Sequence, residues 1–228
     1  MSTLQGSSSL GAARGEIARN SVLRNTFILL AVSMIPTVLG AWIGIETNIM
    51  SYFRGIMGFV VVLAIMFGFI FVIEKNKNSA AGVPVLLGFT FFMGIVMSGL
   101  LATMLGRANG GQIVMTAFGS TAAVFAGMSF LAFTIKKDLT SWGPMLFAAV
   151  IGLIIASVVN IFIGSSVLMI AISGIATVVF SLFLLFDLKR IVDGGETNYI
   201  SATLAVYLDL VNIFQNLLVL LGFSSSKD

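Results

Sequence analysis

The chain has 228 residues, 58% of them hydrophobic and only 9% charged, with a mean hydropathy of +1.10. Soluble domains carry roughly a quarter charged residues, so this composition describes an integral membrane protein. The net charge of +3 is spread thinly over loops and points to no nucleic-acid partner. With neither cysteine nor histidine, the chain is excluded from disulfides, thiol nucleophiles, imidazole-built haem or zinc sites and any Ser-His pair.

Residues 1–23 are rich in Ser, Gly and Ala and show no sustained apolar face, which predicts a flexible cytoplasmic tail. Residues 24–228 read as one polytopic domain. Its seven apolar runs, at about 26–44, 54–73, 82–104, 112–135, 142–163, 166–187 and 199–222, are each long enough to cross about 30 Å of hydrocarbon as a helix. The fold class is therefore an all-α integral membrane protein with seven transmembrane helices, and the surrounding lipid bilayer is its first partner.

Pro36 falls in the middle of the first run and is expected to kink it. Pro84 and Pro144 stand near the starts of the third and fifth runs, where proline is tolerated. In the fourth run Gly119, Ala123 and Gly127 recur every four residues, a small-residue stripe expected to admit a close helix neighbour. Gly152 and Ala156 form a weaker version in the fifth.

Basic residues mark one side. Arg14, Arg19 and Arg24 precede the first run, Lys75 and Lys77 follow the second, Lys136 and Lys137 the fourth, and Lys189 and Arg190 the sixth. The alternate segments hold Arg54, Arg107 and Lys227. The positive-inside rule then puts the N-terminus in the cytoplasm and, after seven crossings, the C-terminus outside. Between the last two runs, Asp193-Gly194-Gly195-Glu196-Thr197-Asn198 reads as a short cytoplasmic turn or as a contact or gating loop.

Two aspartates carry the chemistry. Asp187 closes the sixth run and Asp209 lies inside the seventh. A carboxylate at membrane depth is costly unless paired, hydrated or protonated, so both are functional candidates. Asp209, Asn212 and Asn216 fall at i, i+3 and i+7, one polar stripe that should face protein or water; Ala202 and Ala205 extend it with small side chains. Asp209 lies about 15 Å of helical rise from the start of its run, so the two aspartates meet only if that helix begins in a cytoplasmic cavity or if tilt brings its first turns below the hydrocarbon. Where they meet, two poorly solvated carboxyls do not both ionise at low cost and titrate as a unit. Hard oxygen ligands suit Ca²⁺, but two carboxylates fall short of its six to eight ligands, so Asp187 and Asp209 would form a weak, transient calcium site on a permeation path.

Phe186-Asp187-Leu188-Lys189-Arg190-Ile191, followed by Tyr207-Leu208-Asp209-Leu210-Val211-Asn212-Ile213-Phe214, resembles the C-terminal signature of the Bax inhibitor-1 family. Lys136-Lys137-Asp138-Leu139 and Asn160 fit the same pattern. Gly194-Gly195-Glu196-Thr197-Asn198-Tyr199-Ile200 with Leu221-Gly222-Phe223 resembles its proteobacterial inner-membrane branch. The resemblance implies six helices around a central C-terminal seventh, in the inner membrane. It implies a pH-sensitive calcium leak gated by the pair Asp187 and Asp209, with no cofactor and Ca²⁺ as the permeant ion. Some members have an arginine after helix 2 that latches onto an aspartate; here Asn76 stands there, making Lys75 and Lys77 the possible latch partners. The inner-membrane branch also implies modulation of the membrane AAA protease FtsH, with the tail as a handle on a monomer or weak oligomer. An intramembrane aspartyl protease is a remote alternative. It needs Gly-x-Gly-Asp, where Asp209 follows Val206-Tyr207-Leu208, and a further helix. The expectation is of a protein that is not an enzyme.

Overall fold

In the computed structural model the backbone of residues 2–224 and the side chains of 19–224 are described. Seven helices run α1 (Ser2–Thr47), α2 (Gly55–Asn76), α3 (Gly82–Leu105), α4 (Gly110–Thr134), α5 (Trp142–Ile163), α6 (Ser166–Val192) and α7 (Tyr199–Ser224), with a 3-10 turn at Ile49–Tyr52. All seven are long and apolar enough to cross a membrane, α1 through its segment Arg19–Thr47. This is a multi-pass membrane protein. The expected tail over 1–23 falls mostly outside the described side chains, but residues 19–23 belong to α1. No Gly or Pro interrupts them, and extending a formed helix costs far less than nucleating one.

Short connections place successive helices antiparallel, which sorts the loops onto two faces. Segments 77–81, 135–141 and 193–198 share one face with the start of the membrane part of α1; segments 48–54, 106–109 and 164–165 share the other with the end of α7. α7 is central. It packs against α1, α2, α3, α4 and α6, while α5 stands outside and packs on α6. The core around α7 is filled by Ile73 of α2, Leu86 and Phe89 of α3, and Leu184 and Leu188 of α6, all fully buried.

The small-residue stripe on α4 does not do what its spacing suggested. Gly119, Ala123 and Gly127 are exposed, and nothing lies within 4 Å of a methyl added at either glycine. α4 instead turns Ile113, Ala117 and Thr121 inward. Two positions along a helix rotate the side chain by about 200°, so the two rows lie on opposite faces and only one can pack. The close approach is between α1 and α3. There Gly40 and Gly44, a Gly-x-x-x-Gly pair, face Phe91, Ile95 and Ser98, while Gly94 faces the backbone of Thr37 and Ala41. A methyl at Gly40 would run into the Phe91 carbonyl, and one at Gly94 into the Thr37 carbonyl.

Gly94→Val should therefore destabilise the detergent-solubilised protein by at least about 2 kcal/mol, as backbone-against-backbone overpacking leaves no side chain to give way. Gly119→Val should leave thermal unfolding nearly unchanged. Equal losses in the two variants would remove the α1–α3 crossing from this account.

Candidate functional site

α6 continues past Asp187 to Val192, five residues beyond the expected end of its apolar run. The carboxyl of Asp187 thus sits about 7 Å of helical rise from the end of α6, which closes about half of the depth gap to Asp209. Asp187 and Asp209 come within side-chain hydrogen-bonding reach of each other. Asp187 is half-buried, and Asp209 is 5% exposed.

Neither carboxyl receives a hydrogen bond from another residue among the described ones, and Asp209 Oδ2 is buried without a partner. A bond between the two requires a proton on one of them, since an ionised carboxylate only accepts. The charges that act on Asp187 are Arg190, one turn along the same helix, and Glu196. A small cleft of about 10 Å³, room for one water, lies beside Asp187 between Arg190, Ile191, Glu196, Ser201, Ala202 and Ala205. Ala202 and Ala205 leave that space because their side chains are short.

The possible latch partners stand at the end of α2. Lys75 is exposed, without an ion pair among the described residues, and Lys77 pairs with Glu74 at 2.6 Å. That bond raises the Lys77 pKa. α2 packs mainly on α3, and its end lies close enough to Arg190 of α6 for that charge to act on Glu74 and Lys77. Arg190 is the cation beside the dyad, because i+3 on the same helix puts it there at no conformational cost.

The turn between α6 and α7 is a built structure. The side chain of Asn198 caps α7, with its Oδ1 accepting from the N–H groups of Ile200 and Ser201 at 2.9 and 3.2 Å. Its amide donates to the Lys77 carbonyl and to Asn78 Oδ1. The Ser201 hydroxyl donates to Glu74 at 2.7 Å, and Arg190 pairs with Glu196 at 3.3 Å. Lys189, nearly buried, pairs with Asp193 at 2.7 Å. On the same face the hydroxyl and N–H of Thr140 donate to Asp138 and hold its carboxyl below the usual range.

The asparagines of the stripe bond within α7. Asn212 donates to the Leu208 carbonyl and Asn216 to that of Asn212, both at 2.8 Å. Cross-helix bonding in the middle of α7 comes instead from Tyr207. The fully buried Tyr207 pairs its hydroxyl with Thr37 of α1 at 2.8 Å and donates to the Thr90 carbonyl of α3 at 3.3 Å. Its ring meets Phe89 edge-on. A tyrosine amid apolar helix residues needs such a partner for its hydroxyl, and that need was the available signal. At the far end Arg107 donates to the Gly222 carbonyl near the C-terminus of α7.

Comparison with known proteins agrees with this architecture. The family model described as "Inhibitor of apoptosis-promoting Bax1" matches residues 19–226. A membrane protein of Vibrio cholerae is 38% identical over 92% of this chain and 92% of its own length. Escherichia coli K12 YccA, named a modulator of FtsH protease, is 35% identical over 92% of this chain and 93% of its own. The same protein in another Escherichia coli strain is named an inner membrane protein. A match across all seven helices, with relatives aligned end to end, means that this chain belongs to the Bax inhibitor-1 family.

Proposed function

We propose that this protein is a proton-controlled, low-affinity cation leak with calcium as the permeant ion and Asp187 and Asp209 as its gate. One observation carries the reading: two carboxyls on adjacent, membrane-length apolar helices lie within side-chain reach of each other, and Asp209 Oδ2 is buried with no donor among the described residues. With one proton between them they tie α6 to α7. Without it, two poorly solvated anions repel each other and attract a cation. Among the described residues no cluster of three or more metal-ligating side chains forms, so the pair suits passing contact rather than storage. Such a protein needs no catalytic group.

The test is calcium flux in proteoliposomes across a range of pH. Wild-type flux should vary several-fold, while Asp187→Asn and Asp209→Asn should each vary by less than about twofold, because an amide neither gains nor loses a proton there. Variants that follow the wild-type curve would take the dyad out of the gate.

A second reading has its own support in the similarity to YccA. This protein would then also bind a membrane AAA protease such as FtsH, with residues 1–23 as the segment engaged. Seven packed spans resist extraction, since each one withdrawn exposes about twenty apolar residues to water. A substrate gripped but hard to pull occupies the protease. Co-purification with a proteolytically inactive FtsH should be lost on deleting the tail and kept in the Asp187→Asn/Asp209→Asn double variant. The opposite pattern would move the interface to the dyad.

Both readings place the protein in the inner membrane with the basic face in the cytoplasm. Reporter fusions at the two ends should be active in the cytoplasm at the N-terminus and outside it at the C-terminus. A cytoplasmic C-terminal reporter would mean that one apolar helix does not span.

A further inference from the structure

A second cavity lies far from the dyad. Between the ends of α5, α6 and α7, on the face that carries the end of α7, is a cleft of about 460 Å³. Its polar lining is neutral throughout: Ser157 and Asn160 of α5, Ser165, Ser166 and Ser173 of α6, and Asn216 of α7; Ile161, Met169 and Ile172 complete the wall. Facing side chains this short leave a gap that larger ones would fill. On the inner side it is closed by Leu153, Ala176 and Val179, packed with Phe180 and Phe183.

Ser173 is the telling residue. The serines at 33, 157 and 181 each turn their hydroxyl back onto the carbonyl four residues earlier. Ser173 is 4% exposed and makes no such bond, and its side chain lines the cleft. The amide N–H groups of Asn216 are directed to its own helix, so its Oδ1 is left for the cleft. A hydroxyl or amide oxygen that opens on a cleft needs a hydrogen-bonding partner there, and a lipid chain offers it none. Water does, and the volume holds on the order of ten molecules.

We propose that this cleft is a water-filled vestibule that carries the cation path from the dyad to the far face, with Asn216 at its floor. Its hydration stands on the cleft's own geometry; its place on the path rests on the leak reading. Asp209 and Asn216 are seven residues apart on one face of α7, about 10 Å of rise, with Asn212 between them. The dry barrier is thus about two turns long, at the level of Phe180, which packs against both the central core and the α5–α6 cluster.

The chain has no cysteine, so single cysteines report on single sites. Ser173→Cys, Asn216→Cys and Ile175→Cys are to be treated in right-side-out vesicles with a charged, membrane-impermeant thiosulfonate, which reacts with the thiolate and so requires water. Ile175 is 58% exposed on α6 and faces lipid, so simple exposure would rank it first. The vestibule reverses that order: cysteines at 173 and 216 should react at least about tenfold faster than the one at 175. In proteoliposomes, modification of Asn216→Cys should then reduce calcium flux severalfold. Cysteines at 173 and 216 that ignore the charged reagent but take an apolar maleimide would mean a lipid-filled crevice and overturn the vestibule. Rapid labelling with flux unchanged would overturn its place on the path. Absence of flux from the unmodified protein would sink the leak reading, and the path with it, while the labelling order still decides hydration.

Discussion

In hydrocarbon a helix satisfies its own backbone, and the polar side chains of this protein follow the same economy. Ser33, Thr121, Thr177 and Ser181 donate to the carbonyl one turn back, and Asn212 and Asn216 do so with their amides. A carboxylate cannot. It has no proton to donate, and inside a helix every backbone N–H is already engaged. Asp187 and Asp209 are therefore the groups whose needs no single helix meets, and the arrangement of α6 against α7 follows from bringing them together.

α7 accordingly has two unlike sides. Thr203 and Tyr207, four residues apart, face α1 and α3, where hydroxyl bonds to Thr26, Thr37 and Thr90 cross between helices. Such bonds are worth about 0.6 kcal/mol each on average, so their value lies in orientation more than in strength. Asp209 looks the other way, towards α6. The ends of α7 are also fastened, to the α2–α3 turn through Asn198 and Ser201 and to the α3–α4 loop through Arg107. The side that faces α6 carries both the carboxyl pair and Asn216 of the neutral cleft.

The place of α5 follows from the same logic. Towards the basic face, the rings of Phe180, Phe183 and Phe186 succeed one another along α6 with centroids 6.5 and 6.4 Å apart, filling the space there. Towards the other face, serine and asparagine replace them, and α5, α6 and α7 line a cavity. Helix pairs without a hydrophobic driving force between them stay together where shapes interlock and part where they do not.

The sequence by itself determined the seven spans, the absence of imidazole and thiol chemistry, and the two carboxyls as the residues to watch. Crossing a bilayer depends on length and apolarity, which are properties of one segment at a time. For that reason Trp142–Ile163 matched its expected limits, and α6 began at Ser166 as expected. Which residues meet was decided only in three dimensions. Gly119, Ala123 and Gly127 have the right spacing but lie on the outer face, while Gly40, Gly44 and Gly94 take the close crossing. Arg190 stands beside Asp187, and Tyr207 joins three helices that no local pattern links. Spacing specifies a face of a helix, but its rotation about the axis and its depth are set by the neighbours it packs against, and these come from distant parts of the chain.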